Sequence, residues 1–588
     1  MRRAVTLVAL GLAGLGYVVA TFELARRDQL WNDELFTYYF ARLPDLGAVW
    51  DQLSTGVEQT PPVYYVITRT ALRIAGSSDV ALRLPGLIGV LAACACLYAF
   101  VARRSSATYG FIAALIVLCS QATFYAHEAR PYGLVLGGAA AALLCWQLRG
   151  EPSRSTVAVV GMTLFLGVAV ACHYYAALLV VPFALGEAVR TATRRRLDLP
   201  VFAGLAVALT PLVVAVPLIR AARTYSGAFW ADFGWRSAVE FNGWLFETVT
   251  VPSGPGTRPE VALFIWLLVG LALHALLAPM AQADDSSDGS DERRPFGRLN
   301  GALLVGAGSV LVGALAVRYL AGERLPDDRL RLVCAATLVV LAYAALRHRR
   351  NGITGVVDSR RVSPPEIVAA SGFLLLPVLA VAVATIVTGA YTERYVLPAT
   401  VGVAILLPLA LHRLDSGRRL VSICLAIVLL FVVGLVYWNQ ATEVRDENRE
   451  RNALIRSLER TAGARPVVVA DPHQFFELSH YAPPALAGRL IHLAGQDAAL
   501  RYTDSYSTEA GLEVLSRFAP LDVRRFERFV ASGDPFLLLL RPDRDTWVVP
   551  ALEAAGRTLR PYPARNGLSL YVVRRPQHAD APSPASQP

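Results

Sequence analysis

Four short stretches set charged residues where apolar segments of the sequence end: WNDE (31–34), VEQTPPVYY (57–65), HEARPYG (127–133) and TERYVLP (392–398). A charge at a membrane boundary is costly unless it is paired, solvated or put to use. Taken singly, each stretch reads equally as an interfacial salt bridge or a snorkelling anchor. Taken together, they hold the parts of a site for moving a group from a phosphate to a hydroxyl. The attacking hydroxyl needs a base as its bond to an anomeric carbon forms, and a carboxylate at hydrogen-bond distance can serve; Asp33 and Glu34 offer two. A phosphate leaving group needs no general acid, only cations or N–H donors around its oxygens. Arginine suits this because its planar fork pairs two oxygens and stays charged in a dry setting. Arg130 and Arg394 are the candidates. Glu128 stands where it could orient Arg130, His127 either touches substrate or caps a helix, and Tyr132 shares their turn. Glu393 precedes Arg394 and could do either, and Glu58 heads the Pro61–Pro62 stretch, a rigid extended segment.

Asp33, Glu34, Glu58, His127 and Glu128 could converge on a divalent cation. No two of them stand at diagnostic ligand spacing, and neighbouring Asp and Glu on a helix point to different faces, so no cofactor and no catalytic metal are expected. The seven cysteines all fall within or at the ends of apolar spans, without a CxxC, which argues against a disulfide framework or a cysteine zinc site.

Most of the chain must be membrane protein. Of 588 residues 54% are hydrophobic and 17% charged, with a mean hydropathy of +0.44, too apolar for a soluble domain. Apolar stretches long enough to cross a hydrocarbon core of about 30 Å recur up to residue 438. About 13 transmembrane helices are predicted, over 4–22, 80–102, 107–126, 131–148, 156–172, 175–190, 200–220, 261–280, 299–320, 330–346, 367–389, 395–412 and 419–438. The first is read as an uncleaved helix, because its apolar run reaches Phe22 and FELARRDQLW offers no small-x-small cleavage site.

Every basic side chain besides histidine is arginine, and arginine is retained near cytoplasmic span ends. With the N-terminus inside, the arginines of 103–104, 149–154, 190–196, 292–298, 347–361 and 412–419 fall on alternate connections. That sidedness puts 23–79, the HEARPYG turn, 221–260, 321–329, TERY and everything after 438 on the outer face. It also accounts for the formal charge of +10 without nucleic acid.

Two outer regions are large. Residues 23–79 alternate aromatic and polar residues, and Leu35, Phe36, Tyr39 and Phe40 share one helical face away from Asp33, as in a helix lying in the membrane interface. Residues 439–575 read as a small extracytoplasmic α/β domain, with strands at RPVVVAD (465–471), PFLLLLRP (535–542) and LSLYVVRR (568–575) and a helix at HQFFELSHY. Residues 576–588 read as a disordered tail and 281–292 as a flexible cytoplasmic loop. Asp471, His473 and His480 gather in the outer domain, with no chemistry assigned to them. The aromatic stretch 225–246 either stacks on a sugar or packs at the interface, and Asp232 could pair with Arg236.

WNDELFTYYF, TPPVYY, SSDVALRLPGLIGVLA, HEARPYGL and TERYVLPA, in this order and spacing, resemble the polytopic GT-C glycosyltransferases. The similar branch contains the lipid A aminoarabinose transferases, the rhizobial galacturonosyl transferases and the protein O-mannosyltransferases. The resemblance covers roughly residues 1–410. It implies an all-α GT-C membrane domain (1–438), transferring a sugar from a polyprenyl-phosphate carrier to a glycolipid, cell-envelope polysaccharide or protein on the outer face; the Arg-for-Lys bias and the richness in Ala, Leu and Val point to a bacterial plasma membrane. It also implies that the first outer loop supplies the catalytic carboxylate, a role carried to Asp33 with Glu34 as second candidate. Where the aminoarabinose branch has Glu-Lys-Pro, this chain reads Glu58-Gln59-Thr60-Pro61, so a phosphate contact made by that lysine would pass to an arginine such as Arg69 or Arg83.

Two other classes compete. A lipid-linked sugar flippase or transporter predicts polar residues along the middle of several helices and discontinuous spans. A non-catalytic scaffold leaves Asp33, Arg130 and Arg394 unexplained as a set.

Overall fold

The computed structural model describes residues 2–151, 155–224, 231, 233–249, 258–277, 339, 343, 363–414, 419–532, 534–541, 544–563 and 569–575. The span expected over 299–320, nearly all of that over 330–346, the loop 281–292, the connection 321–329 and the tail 576–588 lie outside the described residues.

Lipid offers no hydrogen-bond partner, so each apolar segment closes its backbone bonds internally as a helix. The chain runs through α1 (Arg2–Arg27), three short helices α2 (Asn32–Ala41), α3 (Leu46–Leu53) and α4 (Pro62–Ala75), then α5 (Asp79–Ala102), α6 (Ala107–Leu118), α7 (Tyr132–Leu148), α8 (Ser155–Cys172), α9 (Val180–Arg194), α10 (Leu199–Ala208), α11 (Thr210–Ala222), α12 (Trp235–Leu245) and α13 (Arg258–Leu277). After the undescribed stretch come α14 (Pro364–Leu374), α15 (Leu376–Val383), α16 (Thr400–Leu414) and α17 (Arg419–Thr461). Among the described residues six helical stretches are long and apolar enough to cross a membrane, or seven if the bent pair at 364–388 is one span.

Three predicted spans differ in form. The segment 107–126 is helical only to Leu118 and then turns. The segment 367–389 bends by 45° between α14 and α15. The last span does not stop at 438: α17 runs for 43 residues to Thr461. Hydropathy marks where lipid ends, not where a helix ends. Residues 439–461 are rich in Glu and Arg, both good helix formers, with no Gly or Pro to break them, and Gly463 (φ 57°) follows the end.

Basic connections meet at one end of the bundle. Arg104 forks onto Glu366 (2.7 to 3.1 Å), Arg149 onto Asp198 (2.9 and 3.0 Å), and Arg103 reaches Glu151. The other end carries α2 to α4, the HEARPYG turn, the TERY turn and the C-terminal domain.

A seam of small residues fixes the HEARPYG turn. A Cβ on Gly89 would lie 2.4 Å from the Gly133 carbonyl, and one on Gly137 would lie 2.4 Å from the Gly89 carbonyl. Only glycine lets α5 and α7 approach so closely. At the head of the seam, a Cβ on Gly86 would strike the carbonyls of Tyr125 and Glu128 at 2.8 and 2.9 Å.

The C-terminal domain holds one six-stranded sheet of β1 (Val467–Val469), β2 (Leu490–Ala494), β3 (Val523–Arg525), β4 (Phe536–Leu540), β5 (Thr558–Pro561) and β6 (Ser569–Arg574), ordered β3-β2-β1-β4-β6-β5. The β3-β2-β1-β4 ladder is parallel, and β6 runs antiparallel to both its neighbours. Strand side chains alternate between faces. Val468 and Leu538 join one core with Ile491 and Trp547. Val467, Val469, Leu537 and Leu539 join another that also contains Leu35, Phe36 and Phe40 of α2. The apolar face of α2 is therefore covered by protein, through α18 (Pro472–Tyr481), and not by lipid as its amphipathic spacing suggested. Phe36 meets Phe476 edge-on at 5.6 Å and Tyr39 stacks on the same ring at 5.8 Å. An apolar stripe is the same in sequence whichever material buries it.

The extended α17 grips the segment that leads into α2. Asn448 donates to the Arg27 carbonyl (2.7 Å), and Arg451 joins Gln29 (2.6 Å) to Glu477 of α18 (2.9 Å).

Candidate active site

Asp33 and Glu34 stand in the first turn of α2, where carboxylates complement the helix dipole. Successive helical residues point about 100° apart, and the pair has two different surroundings. Glu34 is fully buried and takes a two-pronged bond from Arg83 of α5 (Nε to Oε1 2.7 Å, Nη2 to Oε2 2.5 Å). It also accepts from the Ala129 amide at 2.7 Å. Arg83 donates in addition to the carbonyls of Ala25 and Asp28, both at 2.8 Å. One ion pair thus fastens the end of α1, the start of α2 and the HEARPYG turn.

Asp33 faces the other way, with its side chain 17% exposed. Its Oδ2 lies 2.7 Å from Arg394 Nη1 and 4.0 Å from Arg130 Nε. Arg130 donates to the Asp33 carbonyl (3.2 Å) and stands 3.8 Å from Glu58 Oε2, while Glu58 Oε1 accepts from the Thr60 amide (2.8 Å). Residues from all four charged stretches meet here. Burial pushes the Asp33 carboxyl upward, but Arg394 and then Arg130 outweigh it and hold the group below the usual carboxylate range.

The remaining candidates divide. Tyr132 packs on Tyr125 (5.0 Å) beside the guanidinium of Arg394, which lies 5.7 Å from its ring. Glu393 is half-buried and, among the described residues, makes no ion pair. Glu128 does not meet Arg130 as sequence proximity suggested; it accepts from Trp31 Nε1 at 2.5 Å. His127 is buried with its ring edge-on to Phe124 at 5.6 Å. Arg69 is spent on the carbonyls of Ala41, Leu43 and Pro44, and Arg83 on Glu34, so neither is presented to a phosphate. Arg236 pairs with Glu240 (2.6 Å); Asp232 lies outside the described residues.

Sequence reasoning missed an aromatic group beside Arg394. His173 lies 5.4 Å from Tyr132 and 4.7 Å from Tyr395, and Tyr175 lies 5.1 Å from Tyr395. The signal was HYY at 173–175, where two apolar segments meet with almost no loop. From the outer domain, Asp471 caps α18 by accepting from Gln474 N (2.6 Å), and His473 stands 3.4 Å from Arg544. His480 bonds the Tyr39 hydroxyl at 3.0 Å.

The fold and the site together define a multi-pass membrane protein with an ion-paired carboxylate between two arginines at one end of its bundle. Residues 59–219 match the family model described as dolichyl-phosphate-mannose-protein mannosyltransferase. Two solved structures are similar: ArnT from Cupriavidus metallidurans in the apo state (15% identity, 97% of this chain and 98% of that one, TM-score 0.43), and the same protein bound to undecaprenyl phosphate (17%, 96% and 97%, TM-score 0.40). Likeness at these scores carries no argument about this chain. No curated protein sequence matches it significantly.

Proposed function

We propose that this protein moves a sugar from a polyprenyl-phosphate carrier to a hydroxyl of a glycolipid, cell-envelope polysaccharide or protein at the outer face of a bacterial plasma membrane. The observation that carries the reading is the Asp33 carboxylate held 2.7 Å from Arg394 with Arg130 behind it. The donor class follows the matching family, whose description names a dolichyl-phosphate sugar. Donor phosphate oxygens compete with Asp33 for the same guanidinium N–H groups, which draws the arginines onto the phosphate and frees the carboxylate. The acceptor oxygen then attacks the anomeric carbon while Asp33 takes its proton. The bond from that carbon to the phosphate oxygen breaks, and its electron pair leaves with the polyprenyl phosphate, stabilised by Arg130 and Arg394. Glu34, locked to Arg83 and the Ala129 amide, positions α2.

One observation speaks for the flippase reading, the 45° break between α14 and α15, since discontinuous helices serve transporters. One experiment separates the two: transfer from a panel of radiolabelled polyprenyl-phosphate sugars in membranes holding wild type or Asp33→Asn. Transfer by wild type alone supports the proposed chemistry. Equal transfer by both removes Asp33 as base, and lipid movement without transfer favours the flippase.

A further inference from the structure

Behind Glu34, on the far side of α2 from the Asp33 carboxylate, the structure leaves a group of polar side chains without enough partners. We propose that Asp28, His127 and Glu128 bind a divalent cation of the manganese-to-zinc series, which ties the segment before α2 to the HEARPYG turn. One donor atom from each lies within 4.8 Å of the others. This is the only such group among the described residues, and neither Asp33 nor Glu58 belongs to it.

The imidazole argues most directly for a ligand. His127 is 1% exposed, and neither its Nδ1 nor its Nε2 makes a hydrogen bond of good geometry, though Gln440 of α17 approaches the ring. The nearest carboxylate oxygen, Asp28 Oδ2, stands 3.7 Å from Nδ1, beyond hydrogen-bond distance. A buried polar group left unpaired is costly, and such groups in folded proteins call for an explanation. Gln440 of α17, which faces the same imidazole, also has its amide oxygen buried and unpartnered. That oxygen can fill a fourth position.

Charge argues the same way. Asp28, Glu34 and Glu128 all feel the guanidinium of Arg83, and Asp28 feels Arg451 as well. Glu34 takes both close contacts, and Asp28 stands 3.6 Å off. Counted as ionised, the four carboxylates Asp28, Glu34, Glu128 and Glu447 against Arg83 and Arg451 leave an excess of two negative charges, which one divalent cation cancels. Two carboxylates and one imidazole form a hard-to-borderline ligand set of the kind zinc and manganese accept. Trp31 Nε1 already orients Glu128 through Oε2, the kind of outer-shell bond that holds metal ligands in place. The ion is structural: it staples residue 28 to residues 127 and 128 and touches no reacting atom.

The test uses the tag-free full-length protein in lipid nanodiscs, loaded with Zn²⁺ or Mn²⁺, desalted, and measured for metal content and thermal unfolding. Wild type and Asp33→Asn should each hold about one ion per chain and unfold at a higher temperature when loaded. Asp28→Asn and His127→Ala should hold at least about tenfold less and lose the shift, with correct folding checked by intrinsic fluorescence and elution volume. Metal-free wild type after loading with either ion, or variants that retain the ion, would overturn the proposal. So would loss of the ion in Asp33→Asn, which would move it to the Asp33 site. Metal content is read without any transfer assay, so failure of the glycosyl-transfer reading leaves this result standing.

Discussion

Arg394 reaches across the mouth of the bundle to place its Nη1 2.7 Å from Asp33 Oδ2, joining the last charged stretch of the membrane domain to the first. In the proposed reaction the contact is a switchable one: the donor's phosphodiester offers the same arginine a competing anion, whose charge rises as the polyprenyl phosphate leaves.

Replacing Arg394 by alanine should lower the transfer rate about 10²–10³-fold, the usual cost of one preorganised donor to developing charge. Arg394→Lys keeps the charge but not the fork and should fall between the two. Initial rates with a saturating donor measure both, and an unchanged rate in Arg394→Ala would remove it from the leaving-group site.

Glu34 and Arg83 should report on folding more than on chemistry. Breaking a fully buried, two-pronged ion pair costs about 3–5 kcal/mol, so Glu34→Ala should lose more thermal stability in detergent than Asp33→Asn, whose side chain is partly exposed. Equal melting temperatures for the two variants would contradict this division.

The pH dependence follows from the direction of the Asp33 shift. Burial alone would raise its carboxyl, but Arg394 and Arg130 hold it low, so it is ionised and able to accept a proton throughout the neutral range. The acid limb of kcat/KM that belongs to Asp33 should therefore lie below the ordinary value of about 3.9. Removing Arg394 should move that limb upward, because burial then acts less opposed. The linked stability has the same sign: it is present above the unfolded-state value and is lost as pH falls through the lower folded one. A limb that stays put in Arg394→Ala would refute the coupling.

Phe476 of the outer domain should matter to a reaction it does not touch. Its ring supports both Phe36 and Tyr39 on α2, and truncating a buried phenylalanine costs about 3–5 kcal/mol. Phe476→Ala should lower kcat with little change in donor KM, as a loosened α2 would. A purely additive domain would leave kcat alone, which steady-state kinetics can distinguish.

The sequence exposed the ingredients of the site better than their partnerships. WNDE, HEARPYG and TERY stood out because a charge at the end of an apolar helix is conspicuous. Glu128 beside Arg130 looked like a pair only because they are close in the chain; in space Trp31 claims Glu128 and Glu58 claims a place beside Arg130. Such choices depend on how α2, α4 and the second turn pack, which no local pattern encodes. The three strands expected in the outer domain were legible from short apolar runs, whereas Leu490–Ala494, a five-residue run broken by His492, went unread, Val523–Arg525 was hidden by its exposed arginines and Thr558–Pro561 by its mixed composition. Asp28 drew no notice, since its surroundings come from α5 and the HEARPYG turn.

The 43-residue α17 has a mechanical corollary. At 1.5 Å per residue it is about 65 Å long, roughly twice the thickness of the hydrocarbon it crosses. One end is anchored at lipid depth; the other carries the outer domain and holds residues 27 and 29 on the way. It is a covalent ruler. The distance of Asp33 from the apolar part of α17 is gauged by a single rigid rod, so under the proposed chemistry an acceptor would be met at one fixed elevation, and a thicker or thinner membrane would raise or lower the reaction plane as a whole without taking the site apart.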